Sequence, residues 1–141
     1  MATIRAGLAG GVIATIGMTL LMIVMGDDGP PPTAQFVSTF ADGDPDDYAM
    51  LGLMLHILYS IGAGVVFVVG VPLLGLEFGS IGSSVALGLV YGIVLMIGGM
   101  AFWMRTVLGI EPDRGMMTMF GTVHIVYGVV LGAIVGAGII A

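Results

Sequence analysis

Four stretches of this chain, near Ala6–Met25, Met50–Leu74, Ile81–Met104 and Met116–Ile140, run for twenty residues or more on almost nothing but apolar side chains and glycine. A helix needs about 20 such residues to cross a hydrocarbon core of about 30 Å. No soluble fold tolerates four such runs in 141 residues. Hydrophobic residues make up 58% of the chain and charged residues 9%, and the mean hydropathy is +1.16. Ordinary soluble domains carry about 25% charged residues. The expected fold is therefore all-α, a polytopic membrane four-helix bundle forming a single transmembrane domain over residues 1–141, multi-pass in the cell membrane. Little chain remains outside the bilayer, so no soluble catalytic domain is expected.

The first window follows Arg5 and so resembles a secretory signal. Its apolar run exceeds the usual h-region of about 7–15 residues, and "MGDDGPPP" after it offers no small-residue cleavage site, so it reads as a retained span. Orientation is weakly specified: Arg5 favours a cytoplasmic N-terminus, whereas Arg105 and Arg114 share the opposite side. The reading adopted places both termini inside.

The chain has no cysteine, which removes disulfides, thiolate metal sites and iron–sulfur clusters. It has no lysine, and its net charge is −6, which argues against nucleic acid as a partner. Six of the nine carboxylates, Asp27, Asp28, Asp42, Asp44, Asp46 and Asp47, fall in the one long connection, residues 26–49. They lack the ligand spacing of a calcium loop and read as a solvated surface. Within that connection "AQFVSTF" is expected to lie at the interface as a short amphipathic turn. The second loop, around "GLEFGS", is tight, which makes spans two and three antiparallel neighbours. In the third, Trp103 and Arg105 read as an interfacial anchor and Pro112 as the start of a turn.

The fourth span, shifted by 68 positions, falls on the second: His56, Tyr59, Ser60 and Gly64 align with His124, Tyr127, Gly128 and Gly132. Gly7, Gly11 and Gly17 fall more loosely on Gly88, Gly92 and Gly98. The chain thus reads as two tandem helical hairpins related by a pseudo-repeat, parallel about an axis along the membrane normal. Gly128, Gly132 and Gly136 recur every four residues, as do Ser60 and Gly64 after His56. Such small-residue stripes let helices approach closely in lipid, and spans two and four are expected to meet along them.

The only two histidines, His56 and His124, lie on those stripes, at similar depth in the leaflet nearer loops 1 and 3. Three readings are open. A b-type haem would take both imidazoles as ligands, with ring nitrogens about 4 Å apart. A quinone headgroup, or proton transfer, would use the same pair. In a pure packing role each imidazole would bond a backbone carbonyl or Tyr59, Tyr91 or Tyr127. A metal held by protein side chains alone is not expected, because no intramembrane carboxylate completes the coordination. Met96, Met100 and Met104 share one helical face, which raises copper handling, although methionine is also an adaptable packing residue. No nucleophile–base pair, paired intramembrane carboxylates or phosphate loop is present, and no enzymatic activity is expected.

"AGLAGGVIATIGMTLLMIV" together with "VHIVYGVVLGAIVG" resembles a group of small four-span membrane proteins of halophilic archaea. The habit of surplus Asp without lysine resembles the same source. The resemblance implies fold and origin; that group supplies no established reaction, and no functional residue follows from it. The expectation from sequence is a non-enzymatic accessory or assembly subunit of a larger, respiratory membrane complex, associating with lipid, other subunits or itself. The alternative is a b-type haem or quinone-binding subunit using His56 and His124; a small transporter or copper-handling protein ranks below both.

Overall fold

The computed structural model describes residues 2–25 and 29–140. Asp27 and Asp28 of the acidic connection lie outside the described residues. Helix α1 spans Ile4–Val24 and begins at Thr3, whose Oγ1 accepts from the Ala6 N–H at 3.1 Å. A short helix α2 covers Pro32–Phe40. A 3₁₀ turn, Pro45–Tyr48, runs directly into α3, Ala49–Leu73. Helix α4, Ile81–Gly98, is capped reciprocally by Ser80 and Ser83 and continues unbroken as a π-helical segment, Gly99–Val107. Helix α5, Arg114–Ala137, starts at Asp113, whose carboxylate accepts from the Met116 N–H at 2.8 Å, and stops at Gly138 in the left-handed conformation. Thr3, Ser80 and Asp113 at helix starts, and Gly138 at the end of α5, thus serve backbone groups that would otherwise lack partners.

Four of these helices, α1, Pro45–Leu73, Ile81–Val107 and α5, are long and apolar enough to cross a membrane. They form a ring in which α1 packs on α3 and α5, and α4 packs on α5. The α3–α4 side is the loosest of the four. There the tight turn does place the helices side by side, but contact is carried by reaching side chains: the Tyr91 hydroxyl donates to the Ala63 carbonyl at 2.8 Å, and Phe67 stacks on Tyr91 and Phe78. Leu131, Ala14, Phe67 and Tyr127 are buried where the helices converge.

The glycine seams run differently from the sequence-based expectation. Spans two and four, α3 and α5, sit diagonally across the ring and share no extended backbone contact. Gly64 of α3 faces α1, where a Cβ would lie 2.9 Å from Gly11 Cα. Gly128 and Gly132 of α5 face Gly88, Gly92, Ser84 and Val85 of α4, and Gly136 faces Ser84 and Ile81. The physical reason is that close approach needs small residues on both partners. The stripes of α3 and α5 find them on α1 and α4, and only one face of each helix can be spent this way.

Candidate functional site

The loosely closed α3–α4 side leaves a cavity of about 380 Å³ in the half of the bundle next to loops 1 and 3. Its walls come from all four spanning segments: Met18 and Met22 of α1, His56, Tyr59 and Ser60 of α3, Trp103 and Met104 of the π segment, and Phe120, His124 and Tyr127 of α5. Thr33 and Phe36 of α2 form its cover. Both histidines therefore converge with Tyr59 and Tyr127, two of the three tyrosines named as their possible partners, while Tyr91 stands outside the lining. The size suits a small-molecule site, which is usually a few hundred Å³, largely apolar, with few polar groups.

The two imidazoles are held differently. His124 is buried, lies against the Phe120 ring with centroids 4.1 Å apart, and its Nδ1 bonds the Phe120 carbonyl one turn back at 2.8 Å. A carbonyl only accepts, so Nδ1 carries the proton of the neutral ring and Nε2 keeps the lone pair. His56 has no such tether. Its Nε2 is buried and, among the described residues, has no hydrogen-bond partner. The carbonyl one turn back from His56, that of Gly52, instead accepts from Thr33 Oγ1 at 2.6 Å. His56 also lines a second recess of about 360 Å³, shared with Met22, Pro31 and Asp46 beneath loop 1. With Met22 and Pro30 it borders both that recess and the interior cavity.

The tyrosines do not bond the imidazoles. Tyr127 is buried and its hydroxyl donates to the Ser60 carbonyl, a link between the diagonal helices α5 and α3. Tyr59, which follows His56 as Tyr127 follows His124, is half exposed and lines the cavity. Ser60 Oγ donates to the His56 carbonyl at 2.8 Å, so Ser60 stands at both the seam with Gly11 and the cavity wall. Trp103, read from sequence as a belt residue, meets Phe36 edge-on at 5.4 Å and lines the cavity as well. Arg105 pairs with Glu111 at 3.2 Å on the exposed side of the third loop.

Sequence reasoning missed Thr33, Phe36 and Trp103 as site residues. The signal for the first two was present in "PPPTAQF", where prolines at a helix start precede a short apolar face. Nothing in the sequence indicated that this face turns onto the bundle. Among the described residues no group of three or more His, Cys, Asp or Glu side chains gathers to hold a metal ion. No family model, curated protein or solved structure matches this chain.

Proposed function

We propose that this chain is a non-enzymatic integral membrane protein that holds a quinone-class ligand in the His56–His124 cavity, as an accessory subunit of a larger respiratory membrane complex. The observation that carries the reading is that both of the protein's histidines line one largely apolar cavity with hydrogen-bonding capacity left over: a lone pair on His124 Nε2 and an unpartnered His56 Nε2. A quinone or quinol headgroup is flat, apolar on both faces and carries oxygens on opposite sides. An imidazole N–H on α3 would donate to one oxygen, and His124 Nε2 would accept from a hydroxyl at the other. Aromatic and thioether walls, Trp103, Phe120 and Met104 among them, suit the ring. The chain's own recognition surface for other subunits is its helix faces, since loop 1, the one long connection, folds its helix α2 onto the bundle.

The two-hairpin reading belongs to the same proposal. Gly7 and Gly11 meet Gly64 and Ser60 across α1–α3, and Gly88 and Gly92 meet Gly132 and Gly128 across α4–α5. These pairs correspond under the offsets read from the sequence, as duplication of one hairpin would require.

Trp103 is the only tryptophan and lines the cavity, so its fluorescence reports on occupancy. Titration of the detergent-solubilised protein with the reduced, quinol form of a short-chain menaquinone or ubiquinone analogue should quench it saturably. His56→Leu and His124→Leu should each weaken binding about tenfold, the worth of one well-made hydrogen bond in a dry site. Quenching that rises linearly, as for free indole, would refute the reading.

One observation favours a second reading, bis-histidine haem: an Nδ1 tied to a carbonyl with Nε2 left free is how a ligating histidine is usually oriented. His56 and His124 would be the axial ligands, and the haem would supply one-electron chemistry. Among the described residues no basic side chain lines the cavity to receive propionates, which is why the quinone reading ranks first. A Soret band in protein from the native membrane, lost in either histidine variant, would reverse that ranking.

A further inference from the structure

The two histidines occupy corresponding positions, yet only one is tethered, and the cause is visible one turn back along each helix. In α5 the Phe120 carbonyl takes the His124 ring. In α3 the matching carbonyl, Gly52, is already taken by Thr33 from another element. Helix α2 comes this close because position 52 has no side chain: a Cβ there would lie 2.6 Å from Ala34 Cα, and Ala34 is fully buried. We propose that Thr33 is a positioning residue of the cavity, holding the Gly52 carbonyl so that the His56 imidazole stays untethered and available to the ligand.

The proposal rests on the ligand-holding reading above, and deepens it by assigning the two histidines different parts. A ring tied to its own helix has one nitrogen committed and a fixed tautomer. An untied ring turns about its side-chain bonds and exchanges donor for acceptor as the ligand passes between quinone and quinol. A buried ring nitrogen without a partner is unfavourable to maintain. Left alone, His56 would be expected to take the i−4 carbonyl as His124 does. Thr33 blocks that outcome with a hydroxyl donor already in place, and Phe36 on the same helix, seated against Trp103, keeps α2 over the site.

The test uses Thr33→Val, which keeps the shape and removes the hydroxyl, and Thr33→Ser, which restores it. With only two histidines, ¹⁵N-histidine labelling gives two ring systems, assigned by His124→Gln. In the wild type only His124 should show the fixed Nδ1–H tautomer with a strong hydrogen bond. In Thr33→Val, His56 should acquire the same signature and short-chain quinone affinity should fall about tenfold, with both effects reversed in Thr33→Ser. In a His56→Leu background Thr33→Val should cause no further loss. Thr33→Ala serves as a second variant if valine disturbs α2, as judged by the Trp103 emission. His56 signals unchanged in both Thr33→Val and Thr33→Ala, or an equal affinity loss in the His56→Leu background, would overturn the proposal. The NMR comparison needs no ligand, so a wild type that fails to bind quinone refutes the functional reading while the tautomer result still judges Thr33.

Discussion

Two tyrosine hydroxyls, each delivered from a different helix, meet carbonyls of α3: Tyr91 that of Ala63 and Tyr127 that of Ser60. Inside a bilayer there is no water to receive such a hydroxyl if the partner is lost. Tyr127→Phe should therefore lower thermal stability in detergent by about 1 kcal/mol, the usual net worth of an interhelical hydrogen bond. Tyr59→Phe should leave it unchanged, since among the described residues the Tyr59 hydroxyl has no partner and the ring is half exposed. The pair separates two roles that the sequence rhyme made look identical. His56 and His124 diverge for the same kind of reason: a neighbour from another element, Thr33, changes what one of the two histidine-bearing turns can bond.

At the scale of elements, the π-helical segment Gly99–Val107 decides where Trp103 and Met104 point. It begins where Gly99 passes Phe120, at a spot where a Cβ would lie 2.7 Å from the ring, and the wider turn is stitched by the Thr106 hydroxyl donating to the Ala101 carbonyl five residues back at 3.0 Å. Such insertions in α-helices recur at functional sites. The i, i+4 methionine stripe read from the sequence assumed an ordinary helix throughout. Because the turn widens, Met104 is buried in the cavity wall while Met100 is only half buried. Deleting Ala101, which is exposed, should return the segment to α-helical register and move Trp103 from its place in the cavity wall. The expected outcome is a folded protein with lost Phe36–Trp103 contact, read as a shifted Trp103 emission maximum and reduced quenching by quinone.

For the whole molecule, two tests separate the membrane core from its polar rim. Gly132→Leu forces a side chain into the α4 backbone at Ser84 and Val85 and should destabilise the bundle by about 3 kcal/mol. Gly62→Leu, at a site with nothing within 4 Å, should be nearly neutral in a thermal melt. Asp42, Asp44, Asp46 and Asp47 are all exposed, and Asp47 also accepts from the Asp44 N–H at 3.0 Å in the turn that leads into α3. Replacing all four by Asn retains that local bonding and removes mutual repulsion, so the core should stay folded while the salt needed for stability falls. Failure to fold in high salt would show that the charges themselves are structural.

The number and approximate limits of the spanning helices were legible in the sequence because each depends on a local sum, enough apolar residues in a row. The shared depth of His56 and His124 followed from the same counting. The pairing of helices did not follow, because glycine stripes on all four spans are chemically alike and lipid offers no preference for one apolar face over another. Gly64 could have met α1 or α5; only the mutual fit of four helices placed it against Gly7 and Gly11. For the same reason the cavity, the widened turn that puts Trp103 in its wall, and the Thr33 bond to Gly52 belong to the tertiary structure alone. Each depends on a contact between residues far apart in the chain, where spacing along the sequence carries no information about distance.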